Sequence, residues 1–151
     1  MKNGFLAIFA AATLLTLSCS KDQPAADKLI IEKYLKDNNL TAQTTDEGVY
    51  YIIDTEGTGV DFPTKASTVE MYYKGYFTSG QVFDQSLAPN SPLVSKLFNL
   101  VTGWQIGVPK FKKNSKGRLF IPSALGYGSQ ATGSIPANSV LIFDIELLSF
   151  Y

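Results

Sequence analysis

The side chains that could carry chemistry in this chain are carboxylates, hydroxyls and aromatic rings. Its 151 residues include no histidine and one cysteine, Cys19. The missing histidine excludes Ser-His and Cys-His nucleophile pairs, His-ligated metal sites and imidazole acid-base catalysis. A single cysteine excludes an internal disulfide and a cysteine-rich metal site. We therefore expect an activity that uses carboxylates or hydroxyls, or that moves no proton, with no metal and no cofactor.

Three places in the sequence combine aromatic and polar side chains in a way that suggests a site. Trp104 and Phe111 fall on one face of a predicted short helix. Asp84 directly follows Phe83 beyond a turn, and Tyr127 lies between two glycines. Large aromatics are usually buried, and an aspartate in a hairpin usually caps a turn, so most of these residues have an ordinary structural explanation. Tyr127 is the exception, because flanking glycines indicate a loop that presents its side chain.

The elements that must position these residues are mainly β-strands. Strands are predicted over 49–53, 68–77, 82–83, 117–122 and 139–148, with a hairpin turn over 78–81. The last strand alternates, with Phe143 and Ile145 on its fully apolar face. One short helix near 104–111, shortened by Pro109, interrupts the strands. The pattern predicts an α+β fold in which a twisted antiparallel sheet wraps on a short α-helix.

The first 18 residues are typical of a secretory signal. An apolar run over 4–17 follows Lys2 and is short for a hydrocarbon core of about 30 Å. Ser18 and Cys19 follow this run. Residues 17–19 resemble a bacterial lipobox, although Thr16 stands where leucine is usual. We predict a lipoprotein signal over 1–18, lipidation of Cys19 and a lipid anchor in the cell envelope, in the outer membrane on its periplasmic or surface side. The alternatives are a plain signal peptide with an incidental cysteine, or a buried helix.

The segment after the anchor is predicted to hold a tether and one helix. Residues 19–26 are small, polar and contain proline, which is typical of a tether. Asp27 is predicted to cap a helix over 28–38, so that 27–46 forms a helix and linker before a main domain over 47–151. The helix either folds against its own domain or serves as a dimerisation arm, and its single short apolar stripe favours the first.

Four segments of the main domain resemble the motifs of the FK506-binding-protein (FKBP) type peptidyl-prolyl isomerases. Residues 69–86 resemble VxxxYxGxxxxGxxFDxS, and residues 103–107 resemble GWxxG. Residues 121–128 resemble IPxxLAYG, and residues 135–147 resemble IPxNxxLxFxxEL. The resemblance implies an FKBP-like fold and isomerisation of X-Pro bonds in proline-containing polypeptide clients, with macrolides as further candidate ligands.

The resemblance also implies the site residues. It places Tyr73, Asp84 and Tyr127 at catalytic positions, with the Tyr127 hydroxyl and the Val101 N–H donating to a substrate carbonyl. Trp104 is implied to form the base of the pocket. The implied substrate-binding positions are Phe83, Leu93, Leu100, Val101, Trp104, Ile135 and Phe143.

Two departures from the family pattern keep other functions open. Leu93 stands where many members have phenylalanine, and Ser134 stands where some have a second isoleucine. These departures motivate a non-catalytic chaperone or binding module on the same fold. A structural envelope lipoprotein that uses the fold only as a stable body is a third alternative. The 13 basic and 13 acidic side chains balance, which argues against a nucleic-acid partner.

Overall fold

The computed structural model describes residues 22–86 and 91–151. The predicted signal, Cys19 and the start of the predicted tether lie outside the described residues. The strands are β1 Gln43–Thr44, β2 Tyr50–Thr55, β3 Thr68–Tyr76, β4 Val82–Gln85, β5 Leu93–Lys96, β6 Ser115–Ile121 and β7 Leu141–Phe150. The α-helices are α1 Gln23–Asp37 and α2 Thr102–Gly107, and short 3-10 helices span Leu97–Asn99, Val108–Lys110 and Ser123–Leu125.

All seven strands form one antiparallel sheet. Its order is β1-β2-β6-β7-β3-β4, and β5 pairs with the first half of β3. β7 lies at the centre, paired with β6 on one side and β3 on the other. The α+β prediction of an antiparallel sheet with a short helix is therefore confirmed.

The main core lies between the sheet and α2. Trp104, Val108 and Phe111 are all buried in it. The prediction of one short helix near 104–111 was wrong in its bounds, because α2 ends at Gly107, a 3-10 helix with Pro109 follows, and Phe111 is extended.

Gly103 allows α2 to approach the sheet closely, because a Cβ there would lie 2.4 Å from the side chain of Ile121. Because Gly103 has no side chain, the helix that carries Trp104 can pack directly against β6.

A second core covers the opposite face of the sheet, where α1 packs. Ile31 and Leu35 on α1 join Phe120 and Ile142 of the sheet in one buried cluster. The rings of Tyr34 and Phe120 add a tilted contact with centroids 5.9 Å apart. The helix therefore folds against its own domain. Because α1 covers this second face of the sheet, β7 begins with apolar residues on both of its faces.

The prediction for the start of α1 was wrong. The helix begins at Gln23 rather than 28, so the tether predicted over 19–26 does not extend through residues 23–26. Pro24 occupies the first turn, where its missing N–H breaks no helical hydrogen bond. Asp27 is not a cap either, since Asp22 stands at the N-cap position and Asp27 is fully buried inside the helix.

Two short strands escaped prediction. β1 has only two residues. The sequence of β5 does not alternate between apolar and polar residues, because the apolar Val94 lies on its exposed side. No helix in the described ranges is long and apolar enough to cross a membrane.

Candidate active site

A cavity of about 340 Å³ opens beside α2 at the end of the main core. Strands β3, β4, β5 and β7, helix α2 and the loops next to them all contribute to its lining. The lining residues are Tyr73, Phe83, Asp84, Leu93, Asn99, Leu100, Val101, Trp104, Tyr127 and Phe143. The fold thus brings the predicted site residues together around one cavity, with the exception of Ile135.

The walls of the cavity are aromatic rings that support one another. The Trp104 ring lies 5.1 Å from that of Tyr73 and 5.0 Å from that of Phe143, with planes near perpendicular in both pairs. Phe83 meets Phe143 at 5.6 Å and 90°, and Phe77 backs Phe83 at 4.9 Å. Edge-to-face pairs at these distances are favourable. The apolar wall is therefore fixed before any ligand arrives.

Gly75 provides the space in which two of these rings meet. A Cβ at this position would lie 2.6 Å from the Phe83 ring and 2.8 Å from the Phe143 ring. Any side chain at position 75 would displace one of these two rings. The glycine of the predicted motif is thus explained by close packing of the rings.

Trp104 forms the base of the cavity. It is 4% exposed, and its indole Nε1 is the one buried side-chain N or O atom without a hydrogen-bond partner in residues 22–86 and 91–151. Its backbone N–H donates to the Val101 carbonyl at 2.9 Å, which sets the start of α2. The base therefore offers a flat apolar surface.

A hydrogen bond between Tyr73 and Asp84 forms the polar edge. The Tyr73 hydroxyl donates to Asp84 Oδ2 at 2.7 Å. Burial, and then the bond to this carboxylate, raise the pKa of Tyr73 above its usual range. Tyr73 therefore stays a neutral donor at physiological pH and holds the exposed Asp84 at the rim. Ser86 secures the same strand pair, because its Oγ accepts the Tyr73 backbone N–H at 2.9 Å.

Two loop residues that line the cavity, Val101 and Tyr127, carry hydrogen-bond donors. The Val101 carbonyl accepts the N–H groups of Trp104 and Gln105, whereas the Val101 N–H has no acceptor within the described part of the chain. Gln105 fixes this loop, since its side-chain amide donates to the Leu100 carbonyl at 2.8 Å. Tyr127 is 38% exposed and presents its hydroxyl from the loop after β6.

Ile135 does not line the cavity. Thr132 and Ile135 exchange two backbone hydrogen bonds of 2.9 Å, which close a tight turn. At the end of that turn the Ile135 side chain is buried in the main core. Asn99 also lines the cavity and was not predicted from the sequence. It ends a 3-10 helix beside the cavity, and nothing in the neighbouring sequence indicates that helix.

The cavity contains neutral hydroxyl and amide donors, one carboxylate and apolar rings. Among the described residues, no group of three or more His, Cys, Asp or Glu lies close enough together to hold a metal ion. Such a site suits the binding of a compact apolar ring next to a carbonyl group, which is the chemistry of an X-Pro segment.

Comparison with known proteins identifies the family of this chain. A family model for the FKBP-type peptidyl-prolyl cis-trans isomerases matches residues 59–148. The isomerase FkpA of Buchnera aphidicola subsp. Schizaphis graminum is 40% identical over 128 residues, which cover 85% of this chain and 50% of that protein. A peptidyl-prolyl cis-trans isomerase of Schizosaccharomyces pombe is 40% identical over 105 residues, covering 68% of this chain and 94% of that protein.

The solved structures give the same result. The crystal structure of FkpA from Escherichia coli superposes with a TM-score of 0.74 at 36% identity, covering 85% of this chain and 59% of that one. The chain spans about half the length of the FkpA sequences it matches. The four motifs and every residue that lines the cavity lie within residues 59–148, the part that the family model matches. The chain belongs to the FKBP-type peptidyl-prolyl cis-trans isomerase family.

Proposed function

We propose that this chain catalyses the cis-trans isomerisation of X-Pro peptide bonds in exported or envelope polypeptides, and that macrolides which mimic proline compete for the same cavity. The observation that carries the proposal is the preformed aromatic cavity of about 340 Å³ with two hydrogen-bond donors on its loops. Proline has a compact apolar ring that fits against Trp104, and the carbonyl before it can accept from Val101 or Tyr127.

The chemistry follows from the amide bond itself. Rotation about an X-Pro bond must break partial double-bond character, and the barrier is about 18–20 kcal/mol. The twisted amide has lost its resonance, so it is less polar than the planar ground state. An apolar cavity that excludes water therefore stabilises the twisted form more than the planar one. No covalent intermediate forms and no proton leaves the enzyme.

The chain's own residues orient the substrate. The rings of Phe83, Trp104 and Phe143 hold the proline while the segment before it turns, and a donated hydrogen bond holds the carbonyl. The bond from Tyr73 keeps the negative charge of Asp84 at the exposed rim. The base of the cavity is then left to neutral groups, as the less polar transition state requires.

The experiment that tests this proposal is the cis-to-trans relaxation of a short X-Pro peptide with the purified full-length chain. The uncatalysed reaction takes tens to hundreds of seconds, so acceleration is easy to resolve. We expect a relaxation rate that rises linearly with protein concentration. A folded sample that leaves the rate at its background value would refute isomerase activity and favour a non-catalytic binding module.

Removing the hydroxyl of Tyr127 is expected to lower kcat/KM by about 2- to 10-fold, the value of one hydrogen bond of about 0.5–1.5 kcal/mol. The Tyr127→Phe variant keeps the ring, so the fold should be unchanged. Tyr51→Phe is the matched control, because the Tyr51 hydroxyl bonds Gln43 on the exposed surface away from the cavity. Equal activity in Tyr127→Phe and wild type would exclude this hydroxyl from substrate binding.

We also propose that Cys19 carries the lipid that anchors the chain in the envelope. Stable anchoring takes more than one acyl chain, which a lipidated cysteine provides. Labelling cells with a radioactive fatty acid should mark the wild-type chain and leave Cys19→Ser unlabelled. Equal labelling of the two chains would reject the anchor. A wild-type chain that carries no label and is found in the fraction free of membranes would reject it as well.

A further inference from the structure

Asp27 is a fully buried carboxylate on α1 that the proposed reaction does not use. It stands on the buried face of the helix, one turn before Ile31 and two turns before Leu35. An apolar residue at this position would complete the stripe without the cost of burying a charge. The carboxylate therefore needs an explanation other than the packing of α1.

The partners of Asp27 supply that explanation. Its Oδ2 accepts the backbone N–H of Ser123 at 2.8 Å and the Ser123 hydroxyl at 2.7 Å. Its Oδ1 accepts the side-chain amide of Gln23 at 2.8 Å. Charge-assisted hydrogen bonds of this length are strong and directional. One carboxylate thus binds Ser123 at two atoms across a separation of 96 residues in sequence.

Ser123 in turn holds the loop that carries Tyr127. It begins the 3-10 helix after β6, and its carbonyl accepts the N–H of Gly126 at 3.0 Å and of Gly128 at 2.8 Å. These two glycines flank Tyr127 directly. Gly128 has φ +64 and its carbonyl accepts the N–H of Asn138, which closes the far side of the loop. The position of Tyr127 therefore depends on where Ser123 is held.

We propose that Asp27 is a positioning residue for Tyr127: from α1, it fixes Ser123 and thereby the loop that presents the Tyr127 hydroxyl to the substrate carbonyl. Asp27 lies before the region matched by the family model, 59–148. The N-terminal helix thus becomes part of the site rather than a cover for the sheet alone. The effect on turnover rests on the proposed isomerase function, whereas the effect on the loop does not.

A double-mutant cycle on turnover tests the coupling. Asp27→Ala is expected to lower kcat/KM for an X-Pro peptide by about 2- to 10-fold, mainly through KM, because the Tyr127 bond holds the substrate. In a Tyr127→Phe background the same change should cause no further loss. Asp27→Asn keeps one oxygen that can accept from Ser123, so it should retain most of the activity. Lys33→Ala, on the exposed face of α1, should match wild type.

Losses that add in the double variant would overturn the proposal, since they would mean that Asp27 and Tyr127 act independently. If Asp27→Ala does not fold, Ser123→Ala takes its place in the cycle, because it removes the hydroxyl donor alone. Coupling of Ser123→Ala to Tyr127→Phe supports the proposal, and additivity refutes it.

Amide hydrogen exchange gives a readout that does not depend on turnover. Asp27→Ala, or Ser123→Ala if Asp27→Ala does not fold, should speed exchange at the amides of residues 123, 126 and 128 relative to the amides of β6, whereas Asp27→Asn should leave them close to wild type. A uniform increase over the whole domain, or none at the loop, would assign Asp27 to stability alone and overturn the proposal. A wild-type chain without isomerase activity refutes the proposed function, and the exchange measurement still decides the role of Asp27 in the loop.

Discussion

Replacing Trp104 by leucine is expected to lower kcat/KM for an X-Pro peptide by about 10- to 100-fold. The indole is the base of the cavity, and two wall rings pack against it at 5.0 and 5.1 Å. Removing a buried aromatic surface of this size forfeits about 1.5–3 kcal/mol of apolar contact with the proline ring and admits water. The relaxation assay measures this loss directly, under conditions in which the wild type and Trp104→Leu are both folded.

Phe111→Leu is the matched control for this variant. Phe111 is fully buried in the same core, directly after the 3-10 helix that follows α2, and it does not line the cavity. Both changes remove buried aromatic area, so both should reduce the free energy of unfolding. Activity per folded molecule should fall in Trp104→Leu alone. Equal activity in the two variants would mean that Trp104 serves the core and not the reaction.

Replacing Ile31 by alanine is expected to lower the free energy of unfolding by about 2–5 kcal/mol, the usual cost of such a change at a buried site. Ile31 is the centre of the second core, where α1 meets Phe120 and Ile142. Denaturant unfolding measures the loss, with Leu29→Ala as the control on the same helix, because Leu29 is 67% exposed.

The same experiment separates self-packing from dimerisation. When α1 packs on its own domain, the unfolding midpoint does not depend on protein concentration. A midpoint that rises with concentration in the wild type and loses that dependence in Ile31→Ala would instead identify α1 as a dimerisation arm. Equal losses in Ile31→Ala and Leu29→Ala would place α1 away from the sheet.

The central strands and the aromatic cavity were predictable because their signals are local. β3, β6 and β7 each show a β-pattern over several residues, and the joint burial of Trp104 and Phe111 follows from their spacing. The cavity residues were implied by the resemblance of four segments to the motifs of the family. Gly75 is part of such a motif, although only the structure gives its reason, the contact of two rings.

The parts that escaped prediction depend on distant contacts. The start of α1 was missed because Pro24 resembles a helix breaker in sequence, whereas in the first turn it is tolerated. Asp27 resembled a cap because aspartate is common there, and its partner Ser123 is 96 residues away. Ile135 belongs to a matched motif, yet a tight turn buries it in the core.

The central claim is that X-Pro bonds rotate inside the aromatic cavity, and the single tryptophan of the chain allows one direct test. The indole N–H of Trp104 gives one resonance in a labelled sample. An X-Pro peptide should shift that resonance over the same concentration range in which its own cis-trans exchange, measured in the same tube, is accelerated and saturates. Accelerated exchange with an unmoved indole resonance, or a shifted resonance without acceleration, would contradict the account.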